Sequence, residues 1–63
     1  MPSRRENNSA IVDILHAIVN ENPELRFCQI LSILELDKDN FYEEPWVTLK
    51  RILDNKHLNT LLK

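Results

Sequence analysis

Glycine is absent from this 63-residue chain, and cysteine, methionine, tryptophan and tyrosine each occur once. Without glycine there is no phosphate-cradling loop, because such loops need positive φ or a backbone that a ligand can approach closely. Two-residue hairpins are disfavoured too, since their turns depend on Asn-Gly, Asp-Gly or Gly-X pairs. A lone thiol, Cys28, permits no internal disulfide and points to a reducing compartment. No apolar run approaches the ~18–20 residues that span a bilayer. Residues 10–19 come nearest, and Asp13 and His16 interrupt them. No signal-peptide hydrophobic segment follows the N-terminus, and Pro2 stands where N-myristoylation needs glycine. The expectation is a cytoplasmic protein with no membrane attachment.

What is present is an apolar share of 43%, too high for disorder at a net charge of −2. The length allows one small domain across residues 1–63. Charge is unevenly spread: +2 over residues 1–5, −7 over 6–44 and +3 over 45–63. Hydrophobic periodicity predicts an all-α fold, a compact three-helix domain with room for a short fourth helix at the C-terminus. Residues 1–8 read as a loose N-terminal arm, although Ser3 and Glu6 have capping-box spacing.

The first predicted helix covers Ala10–Val19. On a helical wheel its apolar arc is roughly twice the ~100° stripe of an ordinary surface helix. Such a helix must be covered on two sides, either as the central helix of the domain or by a partner chain. On the second reading Ile11, Val12, Leu15 and Val19 are candidates for self-association, and a homo-oligomer is expected. Asn22 and Pro23 predict a second helix, with Asn22 as its cap and Pro23 as its first residue, running to Leu34. Phe27, Ile30, Leu31 and Leu34 share one face of it. Glu35–Asn40 is a polar connector, and Phe41-Tyr42 is expected to anchor it on the core. Pro45 opens a third helix whose stripe is Trp46, Leu49, Ile52 and Leu53. Leu58, Leu61 and Leu62 either form a short fourth helix capped by Asn55 or prolong the third. Asn20, Asn22, Asn40 and Asn55 sit at the breaks and are expected to supply the left-handed conformation that glycine usually takes.

Catalytic and metal chemistry find little support. His16, His57 and Cys28 share no short ligand spacing, so no zinc motif exists. Asp37, Asp39, Glu43 and Glu44 lack the register and the glycine of a calcium loop. Cys28 borders an apolar face, where a buried, inert thiol is the default. The expectation is no enzyme, no metal and no cofactor.

Protein binding is the reading the residues favour. Aromatic residues are preferred interface anchors, and Tyr42 and Trp46 cluster where a loop meets a helix. Burial on the stripe with Leu49 and Leu53 is the plainer reading of Trp46, and Tyr42 is evenly balanced. The alternative is a small nucleic-acid-binding regulator using Lys50, Arg51 and Lys56 of the third helix with the basic termini. A net negative chain is a poor start for binding a polyanion, so nucleic acid is the weaker partner.

The segment Leu25-Arg26-Phe27-Cys28-Gln29-Ile30-Leu31, followed by Asp39-Asn40-Phe41-Tyr42, resembles a group of small uncharacterised bacterial and phage proteins. They carry a Leu-Arg-Phe-x-Gln segment and then an Asp-x-Phe-Tyr turn. The likeness covers residues 11–54 and implies a small helical fold and a phage or mobile-element origin. Read physically, Arg26 is expected to pair with Asp39, Glu43 or Glu44 and pin the connector. Gln29 is expected to hydrogen-bond connector backbone. Made so, these contacts are structural. If Arg26 lies far from every carboxylate, a partner-binding role gains weight, and Arg26, Gln29, Tyr42 and Trp46 are the candidate binding residues.

Overall fold

A computed structural model describes residues 3–62. They form four helices: α1 (Arg4–Glu21), α2 (Phe27–Ile33), α3 (Pro45–Leu53) and α4 (Leu58–Leu62). No strand occurs among the described residues, and the all-α expectation with a short fourth helix holds.

Helix α1 starts well before its apolar stripe. Ser3 Oγ accepts from the Glu6 amide at 3.1 Å, and Glu6 Oε1 accepts from the Ser3 amide at 3.0 Å. This reciprocal capping box satisfies two donors that a helix start otherwise leaves unpaired. Residues 4–8 are thus helical, which corrects the loose-arm expectation for them; residues 1 and 2 lie outside the described residues. Polar side chains hide a helix from a periodicity reading, whereas a cap can still start one.

The second helix starts later than Pro23. Asn22 is instead the C-cap of α1, and Pro23–Leu25 form a turn before α2 begins at Phe27. The Asn22 side chain is taken up elsewhere. It is buried, and its Nδ2 donates to the Ile18 carbonyl at 2.8 Å and to the Leu61 carbonyl at 2.7 Å. It therefore joins the end of α1 to α4.

The asparagines do not stand in for glycine through their backbone. The one positive φ among the described residues belongs to Glu35, at 59°. It lies just past α2, where the Leu36 amide donates to the Leu31 carbonyl at 2.8 Å and the Glu35 amide to the Ser32 carbonyl at 3.0 Å. This is a Schellman ending, which satisfies carbonyls that a helix end otherwise leaves unpaired. Asn55, like Asn22, acts through its amide. Its Nδ2 donates to the Ile33 carbonyl at 3.1 Å, and its Oδ1 accepts from the His57 amide at 2.8 Å as the chain turns into α4.

Every helix supports one core. Ile18 comes from α1, Ile30 from α2 with Leu34 at its cap, Ile52 from α3, and Leu58 and Leu61 from α4. Ile11, Ile14, Leu15, Leu25, Ile33, Leu36 and Leu62 pack around them. All the core residues are aliphatic. Helix α1 lies against α3 and α4. Its wide arc is thereby covered in part: Ile11 and Leu15 reach the core, while Val12 and Val19 stay exposed at 61% and 41%.

Helix α3 is turned away from its predicted stripe. Ile52 is buried, but Trp46 and Leu53, one heptad apart, face outward with Lys50 and Asp54. Thr48 and Arg51 lie about 140° round the helix from Leu53 and Trp46 respectively. Both are held by Glu43, so the polar ties on that side rotate the Trp46 edge into solvent.

Candidate functional site

The chain has four aromatic residues, and all are exposed. Tyr42 is 92% exposed, Phe41 84%, Phe27 53% and Trp46 43%. Phe41 and Tyr42 do not anchor the connector on the core, which corrects that expectation. They touch one another, edge to face, with ring centroids 4.9 Å apart and planes at 79°. That arrangement suits the ring quadrupoles. Trp46 likewise departs from the core burial that its stripe suggested.

Between Tyr42 and Trp46 lie the two residues that hold this surface. Arg51 of α3 grips Glu43 with two nitrogens, Nε to Oε2 at 3.0 Å and Nη2 to Oε1 at 2.8 Å. Thr48 Oγ1 donates to the same carboxylate at 2.6 Å. Arg4 of α1 grips Glu44 in the same manner, Nε to Oε1 at 2.8 Å and Nη2 to Oε2 at 2.7 Å. Paired N–H···O bonds from a planar guanidinium fix orientation as well as distance. Neighbouring carboxylates are thus tied to different helices. The hydrogen bonds from Arg51 and then Thr48 lower the Glu43 pKa below the usual carboxylate range, and the bond from Arg4 does the same for Glu44. The pKa values of Arg51 and Arg4 are raised in turn by those hydrogen bonds. Arg51 Nη1 also donates to the Glu35 carbonyl at 3.4 Å, so one side chain holds both ends of the connector.

The pinning role thus belongs to Arg51 and Arg4. Arg26 makes no ion pair among the described residues, which corrects the expectation placed on it. Gln29 does not reach the connector either. Its Oε1 accepts from the Arg26 amide at 2.8 Å and closes the start of α2. The structure therefore brings Tyr42 and Trp46 to one segment and gives Gln29 a capping role. Sequence reading missed Arg51, Arg4 and Glu44 as a mount because such partners follow no helical spacing.

The basic residues of the alternative reading are largely occupied. Arg51 is held by Glu43, and Lys50 Nζ lies 3.1 Å from Asp54 Oδ2. Only Lys56 of the three makes no ion pair among the described residues. Lys56 and His57 border an open basin with Ile33, Glu35, Arg51, Asp54 and Asn55, where the acids offset the bases. Cys28 is exposed rather than buried, because α2 turns its core face to Ile30 and Leu34 instead. His16 and His57 are exposed as well. Among the described residues no three His, Cys, Asp or Glu side chains gather where they could hold a metal ion. No helix of those residues is long and apolar enough to cross a membrane. No family model, curated protein or solved structure matches the chain.

Proposed function

We propose that the chain is a non-enzymatic protein-binding module whose contact surface is the Phe41-Tyr42 turn and the outward Trp46–Leu53 edge of α3. One observation carries the reading: exposed aromatics flank Glu43 and Glu44, which Arg51 and Arg4 hold in place. Solvent-exposed aromatics on a fixed backbone lose little freedom on binding, which favours affinity. Tyrosine and tryptophan are also among the residues that dominate interface energetics. The protein acts in the cytoplasm, and the likeness of its Leu25–Leu31 and Asp39–Tyr42 segments to bacterial and phage proteins suits a phage or mobile-element accessory role. Binding to nucleic acid through Lys50, Arg51 and Lys56 is the weaker reading, because Glu43 and Asp54 already compensate two of the three.

The test uses the whole chain with a photo-crosslinking residue at position 42, at 46 or, as control, at 60 in α4. The first two are expected to label the same cellular protein and position 60 not to label it. Equal labelling from all three positions overturns the proposed surface. A shift of random duplex DNA that weakens steeply with salt would instead favour the nucleic-acid reading.

Self-association is proposed on a separate observation, the uncovered Val12 and Val19 on α1. Sedimentation at high concentration is expected to show dimers that the V12E/V19E variant loses. A strictly monomeric parent overturns it.

A further inference from the structure

The connector from Glu35 to Glu44 carries five acids and one base, a net −4. Its charges are not equally available. Glu43 and Glu44 are compensated by Arg51 and Arg4, and Glu35 lies 3.9 Å from Lys38 Nζ. Asp37 and Asp39 are exposed and form no ion pair among the described residues. Asp39 is adjacent to the aromatic turn, since its Oδ1 accepts from the Phe41 amide at 3.5 Å. One uncompensated carboxylate, Asp39, therefore adjoins the exposed Phe41–Tyr42 pair, and a second, Asp37, lies two residues before it in the same connector.

We infer that the partner segment seated on Phe41, Tyr42 and Trp46 is basic and carries arginine beside an apolar anchor. The inference rests on the protein-binding reading and adds the partner's chemistry. A guanidinium can stack on an aromatic face while its N–H groups engage a carboxylate, which an ammonium does less well. An acidic segment would meet Asp37 and Asp39 with like charge, so the surface rejects as well as selects. The apolar anchor is required by Trp46 and Leu53, which offer no charge of their own.

The test titrates the whole isotope-labelled chain with short synthetic peptides and follows backbone amide shifts. The peptides are an amphipathic arginine–leucine helix, its lysine twin, its glutamate twin and an uncharged glutamine twin. The arginine peptide is expected to move amides 37–46 and to bind more tightly than the lysine peptide, with the glutamine and glutamate twins weaker still. The D37N/D39N variant is expected to bind the arginine peptide about 3- to 10-fold more weakly, the range that two exposed ion pairs can supply. Equal binding of the arginine and glutamine peptides, or no loss in D37N/D39N, overturns the inference. Shifts at amides 37–46 with every peptide alike would sink it while leaving the protein-binding surface intact. If no peptide moves those amides and crosslinking from positions 42 and 46 is also lost, the underlying reading fails with it.

Discussion

The core and the connector are held by different means. Ile18, Ile30, Leu34, Ile52, Leu58 and Leu61 are removed from water and rely on close packing of branched aliphatic side chains. The segment from Glu35 to Trp46 packs only Leu36 against the core and is held by charge-assisted hydrogen bonds: Arg51 to Glu43 and Glu35, and Arg4 to Glu44. Usually the aromatic residues would serve the core, where their large area stabilises most. Here they stand on the connector instead. On the proposed reading, stability and recognition use separate sets of residues, and each can be altered without the other.

The largest effect is expected from the core. Ile18→Ala and Ile52→Ala each leave a cavity at a fully buried site and should cost ~2–5 kcal/mol. A domain of this size has in total only about 3–9 kcal/mol of stability. Urea unfolding should therefore show either variant close to unfolded at room temperature. A loss well under ~1 kcal/mol would mean that the six-residue core is not what holds the fold.

Next comes the buried amide that joins α1 to α4. Asn22→Ala leaves the Ile18 and Leu61 carbonyls without their shared donor, a penalty of ~1–3 kcal/mol. Amide exchange should quicken first in residues 58–62, because that helix is short and depends on this tie.

The connector should respond less in stability and more in pH dependence. Folded-state pKa values of Glu43 and Glu44 lie below their ordinary values. Their contribution is fully present above the unfolded carboxylate pKa near ~4.3 and is lost as pH falls through the folded values. Stability measured from pH 6 downward should therefore fall on the acid side, and the E43Q/E44Q variant should fall less steeply. Glu6, lowered by its hydrogen bonds to Ser3, adds to the same slope and remains in that variant. An unchanged acid slope would show that the two arginine grips do not persist in solution.

How much of this was legible follows from the same division. The aliphatic core was readable, because Ile18, Ile30, Leu34 and Ile52 each stand on the apolar stripe of a helix. Pro45 opening α3 was readable because proline is suited to a first helical turn. The start of α2 was misplaced for an equally physical reason. Asn22 fits a cap by local rules, and only the distant Leu61 carbonyl, which the folded chain brings to it, shows that its amide has another task. The mount was illegible because Glu43 lies in a loop and Arg51 in a helix, while Arg4 and Glu44 are 40 positions apart. Periodicity registers repeated apolar positions, not single long-range grips. The same blindness turned Trp46 inward: its spacing with Leu49 and Leu53 marks an apolar stripe, but Thr48 and Arg51 decide which edge of that stripe faces solvent.

The smallest stability effect is expected where the binding effect is largest. Tyr42→Ala and Trp46→Ala remove exposed rings that lie outside the core, so each should change unfolding free energy by no more than about 0.5 kcal/mol. In the core, by contrast, aromatic-to-alanine changes cost ~3–5 kcal/mol. That contrast separates the two roles for each ring. If Trp46→Ala destabilised the chain by ~2 kcal/mol or more, the tryptophan would have to be read as structural, with its exposed edge incidental. If it leaves stability unchanged while crosslinking from position 42 falls away, the ring serves a partner and not the fold. Phe27→Ala is the internal control. This ring is also exposed but stands at the start of α2, away in sequence from the arginine-held connector, and its loss should leave both stability and crosslinking nearly unchanged.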